Sequence, residues 1–248
     1  MKQPLEGINE KIKRSNECIC NLDGEIKTFF DQSDYSVIPN QDDEMFQVVA
    51  DYHLGRPIPL RFSVLAGEIV HHLRSSLDHL IWQLSSSEKQ IRDPTGIEFP
   101  IFDVEPIRKD ELSRYERKVE GVSDANAKTL IKGFQPYSAF RPNPQHSPLF
   151  IIHEMDRFDK HRELTLFYRV LGRKLGPEGM RAFMKYKQAE SPGTLIEYER
   201  AVKVDSKITP HVAFRHFAGR EFESVIPGLR ELVSYTEFVI EQFGRFFK

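Results

Sequence analysis

The chain has 248 residues, 40% of them hydrophobic and 19 of them phenylalanine, which excludes a disordered polymer and is ample for a large buried core. Its 35 lysines and arginines against 37 acidic residues give a net charge of −2, so no global positive field advertises nucleic acid, although a local basic patch stays open. Cys18 and Cys20 stand two apart on a predicted helix, where side chains diverge, and read as free thiols of a reducing compartment. The first residues, MKQPLEGINEKIKR, are charged and periodic rather than signal-like, and no stretch has the roughly 20 apolar residues of a membrane span. A soluble cytoplasmic protein with no membrane partner is expected.

In chain order, residues 4–31 predict a helix. Leu5, Ile8, Ile12, Ser15, Ile19, Leu22, Ile26 and Phe29 alternate three and four apart, the seam one helix lays against another. Gly7 and Gly24 each weaken that helix by about 1 kcal/mol relative to alanine, so packing must hold it. A short hairpin follows over about 35–53, with a polar turn at 40–44. The central helix runs from Leu60 to about Ser85 and includes AGEIVHHLRSSLDHLIWQL. Ala66, Val70, Leu73, Leu77, Leu80 and Leu84 make its apolar stripe, and Glu68, His72, Ser75 and His79 a polar one. Residues 88–106 read as a loop, 107–119 and 124–134 as helices, the second capped by Ser123 or Asp124. The proline-rich connection 134–148 reads as non-helical. Leu149 opens a helix, LFIIHEMDRFDKHREL, with Phe150, His153 (or Glu154), Arg157 and His161 along one side. Four antiparallel strands are expected between 164 and 225, and a last helix over about 226–246. The fold class is α+β in a single domain, 1–248. Long N-terminal, central and C-terminal helices form the core (1–163 plus 226–248). The N-terminal hairpin is small, and the C-terminal antiparallel sheet is inserted at about 164–225.

The segment LRSSLDH places Arg74 and His79 with four residues between them, and resembles the signature of the HEPN superfamily. Those are helical domains, many of them metal-independent ribonucleases acting as toxins or defence effectors. The resemblance implies Arg74 as the phosphate-binding group and His79 as the acid/base on the 2′-hydroxyl or leaving oxygen. A guanidinium grips phosphate in bidentate fashion, and an imidazole titrates near neutrality. Ser75 stands where the family has Asn, Asp or His. Ser75, Asp78, His72, His161 and Asp159 are the expected supports. Arg157, Lys160 and Arg162 are the expected contacts to RNA phosphates, which carry no base specificity. Five residues at about 100° each separate Arg74 and His79 by roughly 140° around a straight helix. One helix cannot aim both at one phosphate unless it is bent; HEPN nucleases instead line one cleft with two copies of the motif, so the resemblance implies a homodimer. An antitoxin or operon-encoded partner goes with the same reading. The bland alternative makes His71, Arg74 and Asp78 a solvated ion-pair row. Lys160, His161 and Arg162 then offset a helix dipole, with Asp159 bridging to Arg74.

The layout HxLRSxLDHLxWQL (72–84), Phe-Pro-Ile (99–101), QPY (135–137) and DKHREL (159–164) also resembles a family of uncharacterised bacterial proteins, which implies no activity. Glu68, His72, His79, His153, Asp156 and His161 are metal-ligand residue types. Yet His72 and His79 lie about 10 Å apart along a helix, and neither helix has an i, i+4 histidine pair or Glu-x-x-His. No metal and no cofactor is expected; P-loop, dinucleotide and nucleophile-elbow motifs are missing from the sequence. Trp82 reads as core, and Phe183, Tyr186, Tyr198 and Phe214 as half-buried strand residues rather than base-stacking platforms. The competing functional class is a non-catalytic binding or scaffold protein.

Overall fold

The computed structural model describes residues 4–32, 35–40, 49–54, 57–161, 164, 166–170, 181–182, 184–185, 188–189, 197, 210–214 and 224–247. Helix α1 spans Glu6–Asp31 and buries Ile8, Ile12, Ser15, Cys18, Ile19, Leu22, Ile26 and Phe29. Gly7 and Gly24 have open space where a Cβ would stand, so burial of the opposite stripe holds the helix; each fully buried aliphatic side chain contributes about 1.5–3 kcal/mol. Strands β1 (Tyr35–Asn40) and β2 (Val49–Leu54) pair antiparallel, Tyr35 opposite Leu54 and Asn40 opposite Val49. Of the turn expected at 40–44, Asn40 belongs to β1 instead, and residues 41–44 lie outside the described residues.

Helix α2, Leu60–Leu84, is the central element. The predicted stripe is buried from Ala66 to Leu80, and so are residues on both of its flanks: Phe62, Ile69 and Ser76 on one, Arg74 and Ile81 on the other. A helix flanked on several sides must hide more than one stripe, and α2 packs against α1, α7 (Pro148–Asp159) and α8 (Val225–Phe243). Those four helices form the bundle. Trp82 packs against the core as expected.

Helix α2 stops at Ser85, whose extended backbone turns the chain while its hydroxyl donates to the Ile81 carbonyl at 2.8 Å. Ser86 then caps a short helix α3, Ser87–Arg92, by accepting from the Lys89 N–H. The loop expected over 88–106 therefore begins with helix, because the serine run both ends one helix and caps the next. Helices α4 (Lys109–Val119) and α5 (Ala125–Phe134) follow. Asp124 caps α5, accepting from the N–H groups of Asn126 and Ala127 at 2.8 and 3.0 Å. The 134–148 connection, expected to be free of helix, holds a short α6 (Pro136–Ala139) and a 3₁₀ turn at Pro144–His146. In each the proline sits in the first turn, where its missing N–H has no partner to lose.

Past α7, strands β3 (Leu166–Val170) and β4 (Pro210–Phe214) pair antiparallel, Leu166 opposite Phe214. The four-strand expectation needs correction between them: residues 181–182, 184–185, 188 and 197, placed in strands by their aromatic and β-branched neighbours, are helical, as is Ala189. Aromatic content favours a strand only where the side chains find a pleated, half-buried surface. Arg181, Met184, Lys185, Gln188 and Ala189 are exposed instead. Phe183, Tyr186 and Tyr198 lie outside the described residues, and Phe214 is buried. Helix α8 buries Ile226, Leu229, Leu232, Thr236, Val239 and Phe243 of the predicted seam and closes the bundle against α1 and α2, while Phe246, the seam's last expected member, is half-buried in a 3₁₀ turn past the helix.

Candidate functional site

Residues 99–102, Phe-Pro-Ile-Phe, lie outside any helix or strand. Their backbone groups are met by side chains from two other elements. From α2, the Arg74 Nη2 donates to the Phe99 carbonyl at 2.9 Å and lies 2.7 Å from Asp78 Oδ1, which in turn accepts the Phe99 N–H at 2.9 Å. Following α5, the fully buried Gln135 donates to the Pro100 and Ile131 carbonyls at 2.8 and 3.1 Å and accepts the Phe102 N–H at 3.2 Å. Buried backbone polar groups need such partners. Here they come from the LRS-LD, FPI and QPY pieces of sequence, which the fold brings to one place.

That clamp holds one wall of a cleft of about 620 Å³ between α4 and α7. Ile101, Phe102 and Val104 line one side and Phe150 another. Glu98, Lys118 and His153 gather in it, Lys118 Nζ donating to Glu98 Oε2 at 2.7 Å. Burial alone would raise the Glu98 pKa, but Lys118 and then Arg74 hold the carboxyl below its usual range. Burial, reinforced by the charges of Arg74, Lys118 and Arg157, lowers His153 from 6.5 to about 4. The imidazole is therefore neutral at physiological pH. Asp78 moves the other way: its desolvation outweighs the Arg74 charge and raises its pKa. Around the rim stand Asp103, Glu111, Arg114, Arg117 and Glu154. Glu111 pairs with Arg108, Arg117 with Asp93 and Glu154 with Arg157. With both signs present and largely matched, the cleft carries little net charge.

Arg74 and His79 are not brought together within the chain. Arg74 is 5% exposed and bound to Asp78 and Phe99, its Nη1 buried without a partner. His79 is exposed beside α1, where partial desolvation and the Lys11 charge lower its pKa. His72 lies on that same side, half-buried, its Nδ1 unpartnered and its pKa lowered by burial and by Lys11. Ser75 is half-buried.

The expected bridge from Asp159 to Arg74 is replaced by the Arg74–Asp78 pair. The Asp159 carboxylate instead covers Gly67, where a Cβ would stand 2.5 Å from Oδ1. Burial and the neighbouring Asp156 raise its pKa. Asp156 is 4% exposed and holds His71 Nδ1 at 3.1 Å and Lys160 Nζ at 2.7 Å. Arg157, also exposed, is engaged by Glu154. His161 is exposed, and Arg162 lies outside the described residues. Among the described residues no group of three His, Cys, Asp or Glu could hold a metal ion, and no helix is long and apolar enough to cross a membrane. Cys18 and Cys20 are free; Cys18 is buried, its thiol pKa raised by desolvation.

Phe150, His153 and Glu154, expected on one side of their helix, do line the cleft together, whereas sequence reasoning missed Glu98, Phe102 and Lys118. The signal that pointed nearest to them was the pair of short pieces FPI and QPY, which have no helical or strand periodicity to explain them. The molecule is thus a helical bundle with one wall of a mixed-charge cleft fixed by buried side chains. No protein-family model matches the chain, and no curated protein or solved structure matches it either.

Proposed function

We propose that this chain is a non-catalytic binding protein, and that its ligand is a small, partly apolar molecule of low net charge held in the cleft between α4 and α7. The observation that carries the reading is the clamp on residues 99–102. Arg74, Asp78 and Gln135 fix the backbone of one wall, so the cleft is formed before any ligand arrives, and preorganisation lowers the cost of binding. Phe102 and Phe150 offer apolar contact, the Glu98–Lys118 pair offers an acceptor and a donor, and neutral His153 can do either. Four lining carboxylates, Glu98, Asp103, Glu111 and Glu154, face three lining cations, Arg114, Arg117 and Lys118, a balance that disfavours a polyanion.

The test is thermal shift of the full chain against free amino acids, nucleosides, mononucleotides and single-stranded RNA. A ligand that binds only the folded form raises Tm. Stabilisation by an uncharged or zwitterionic compound, lost in Lys118→Ala and Phe102→Ala, supports the reading. Stabilisation by RNA alone, falling steeply with salt, overturns it. So does growth arrest on expression that His79→Ala relieves, which would restore the HEPN-like endoribonuclease, with two chains supplying the cleft.

A further inference from the structure

A second concavity lies between α8 and the connection that follows α6, and it shares no residue with the cleft. It is about 480 Å³ and is lined by Phe140, Tyr235 and Phe238, together with Glu231, Ser234 and His146. Glu231, Ser234, Tyr235 and Phe238 are spaced three, one and three apart on one face of α8. None of them belongs to the seam that packs α8 into the bundle. Phe238 is 47% exposed, an aromatic ring that the core does not account for. The rings stand as walls rather than as a stack. Tyr235 is in the middle, with Phe140 at a centroid distance of 5.9 Å and 67° to it, and Phe238 at 6.1 Å and 53°. Phe134 braces Phe238 edge-on at 5.9 Å and 80°. Desolvation raises the Tyr235 pKa, so the phenol stays neutral.

We infer that this aromatic notch is a binding site for a small quaternary ammonium ion of the choline type. Ring faces carry negative potential and attract a cation placed over them. A methylated ammonium is the cation that suits such walls, because it has no N–H groups to satisfy and its methyls pack on the rings. The Glu231 carboxylate on the rim adds charge of the complementary sign. The volume of about 480 Å³ admits a whole molecule of that size, so the occupant is a free ion rather than a methylated lysine of another protein.

The experiment is calorimetric titration of the full chain with choline, with 3,3-dimethyl-1-butanol, its uncharged carbon isostere, and with a trimethyl-lysine peptide. Choline should bind about tenfold or more tightly than the isostere, the margin that cation–π attraction supplies in a partly desolvated site. Phe238→Ala, an exposed position, should abolish binding, and Phe238→Trp should retain it. Equal binding of choline and isostere overturns the inference, leaving only an apolar notch. Undiminished choline affinity in Phe238→Ala overturns it by placing the ion elsewhere, and binding of the peptide without choline overturns the small-ion occupant. A chain that binds none of the three probes also refutes it.

Discussion

On the side of α2 that faces residues 99–102, Arg74 and Asp78 are bound to each other and to the Phe99 backbone. On the side that faces α1, His72 and His79 stand half-buried and exposed, under the influence of Lys11. The sequence gives both sides charged and titratable residues in a tight cluster. One side has become structure and the other is still surface. The difference lies in what arrives opposite: an extended segment with unmet carbonyl and amide groups recruits the guanidinium and carboxylate, whereas α1 brings its own satisfied helix. An R-x4-H spacing is blind to that, because it fixes angles around one helix and nothing about its neighbours.

The largest difference is expected between Arg74→Ala and His79→Ala. Removing Arg74 leaves Asp78 half-hidden without its cation and the Phe99 carbonyl unmet, and should cost about 3–5 kcal/mol in chemical denaturation. His79→Ala should stay within about 0.5 kcal/mol. Equal losses would mean that Arg74 is not a clamp. Gln135→Ala comes next, at about 2–3 kcal/mol, since three backbone groups lose a buried partner together.

His153 sharpens the comparison through pH. Its native pKa is about 4 against an ordinary 6.5, so between those values the unfolded chain binds the proton and the native chain does not. The stability that follows is fully present above pH 6.5 and is lost as pH falls toward 4, on the order of 2–3 kcal/mol. Asp78, raised by burial, works oppositely, so the readout is wild type minus His153→Leu. The variant's stability should vary less across that window. If the two curves run parallel, the imidazole is not held neutral by the cleft.

A smaller loss is expected at the crossing of α2 and α7. Gly67→Ala places a methyl group against the Asp159 carboxylate, 2.5 Å from Oδ1. Rotating that side chain away should cost about 2 kcal/mol, of which the helix preference of alanine returns about 1. A net loss near 1 kcal/mol is expected, relieved in Gly67→Ala/Asp159→Ala. Stabilisation by Gly67→Ala alone would show that the helices do not meet so closely.

Local periodicity and capping were enough for the α1 seam and most of the α8 seam, for a cap at Ser123 or Asp124, and for the presence of the first hairpin's two strands. Each depends on residues within a turn or two of one another, and side-chain spacing along a helix or strand is set by backbone geometry. The i,i+4 pairing of Arg74 with Asp78 is local, but the buried flanks of α2, the burial of Arg74 and the meeting of LRS-LD, FPI and QPY around one backbone segment are not local properties. They depend on which surfaces end up facing each other across gaps of 21 to 35 residues. Whether a charged side chain is exposed or must be paired is decided by desolvation, and desolvation exists only once the elements have packed.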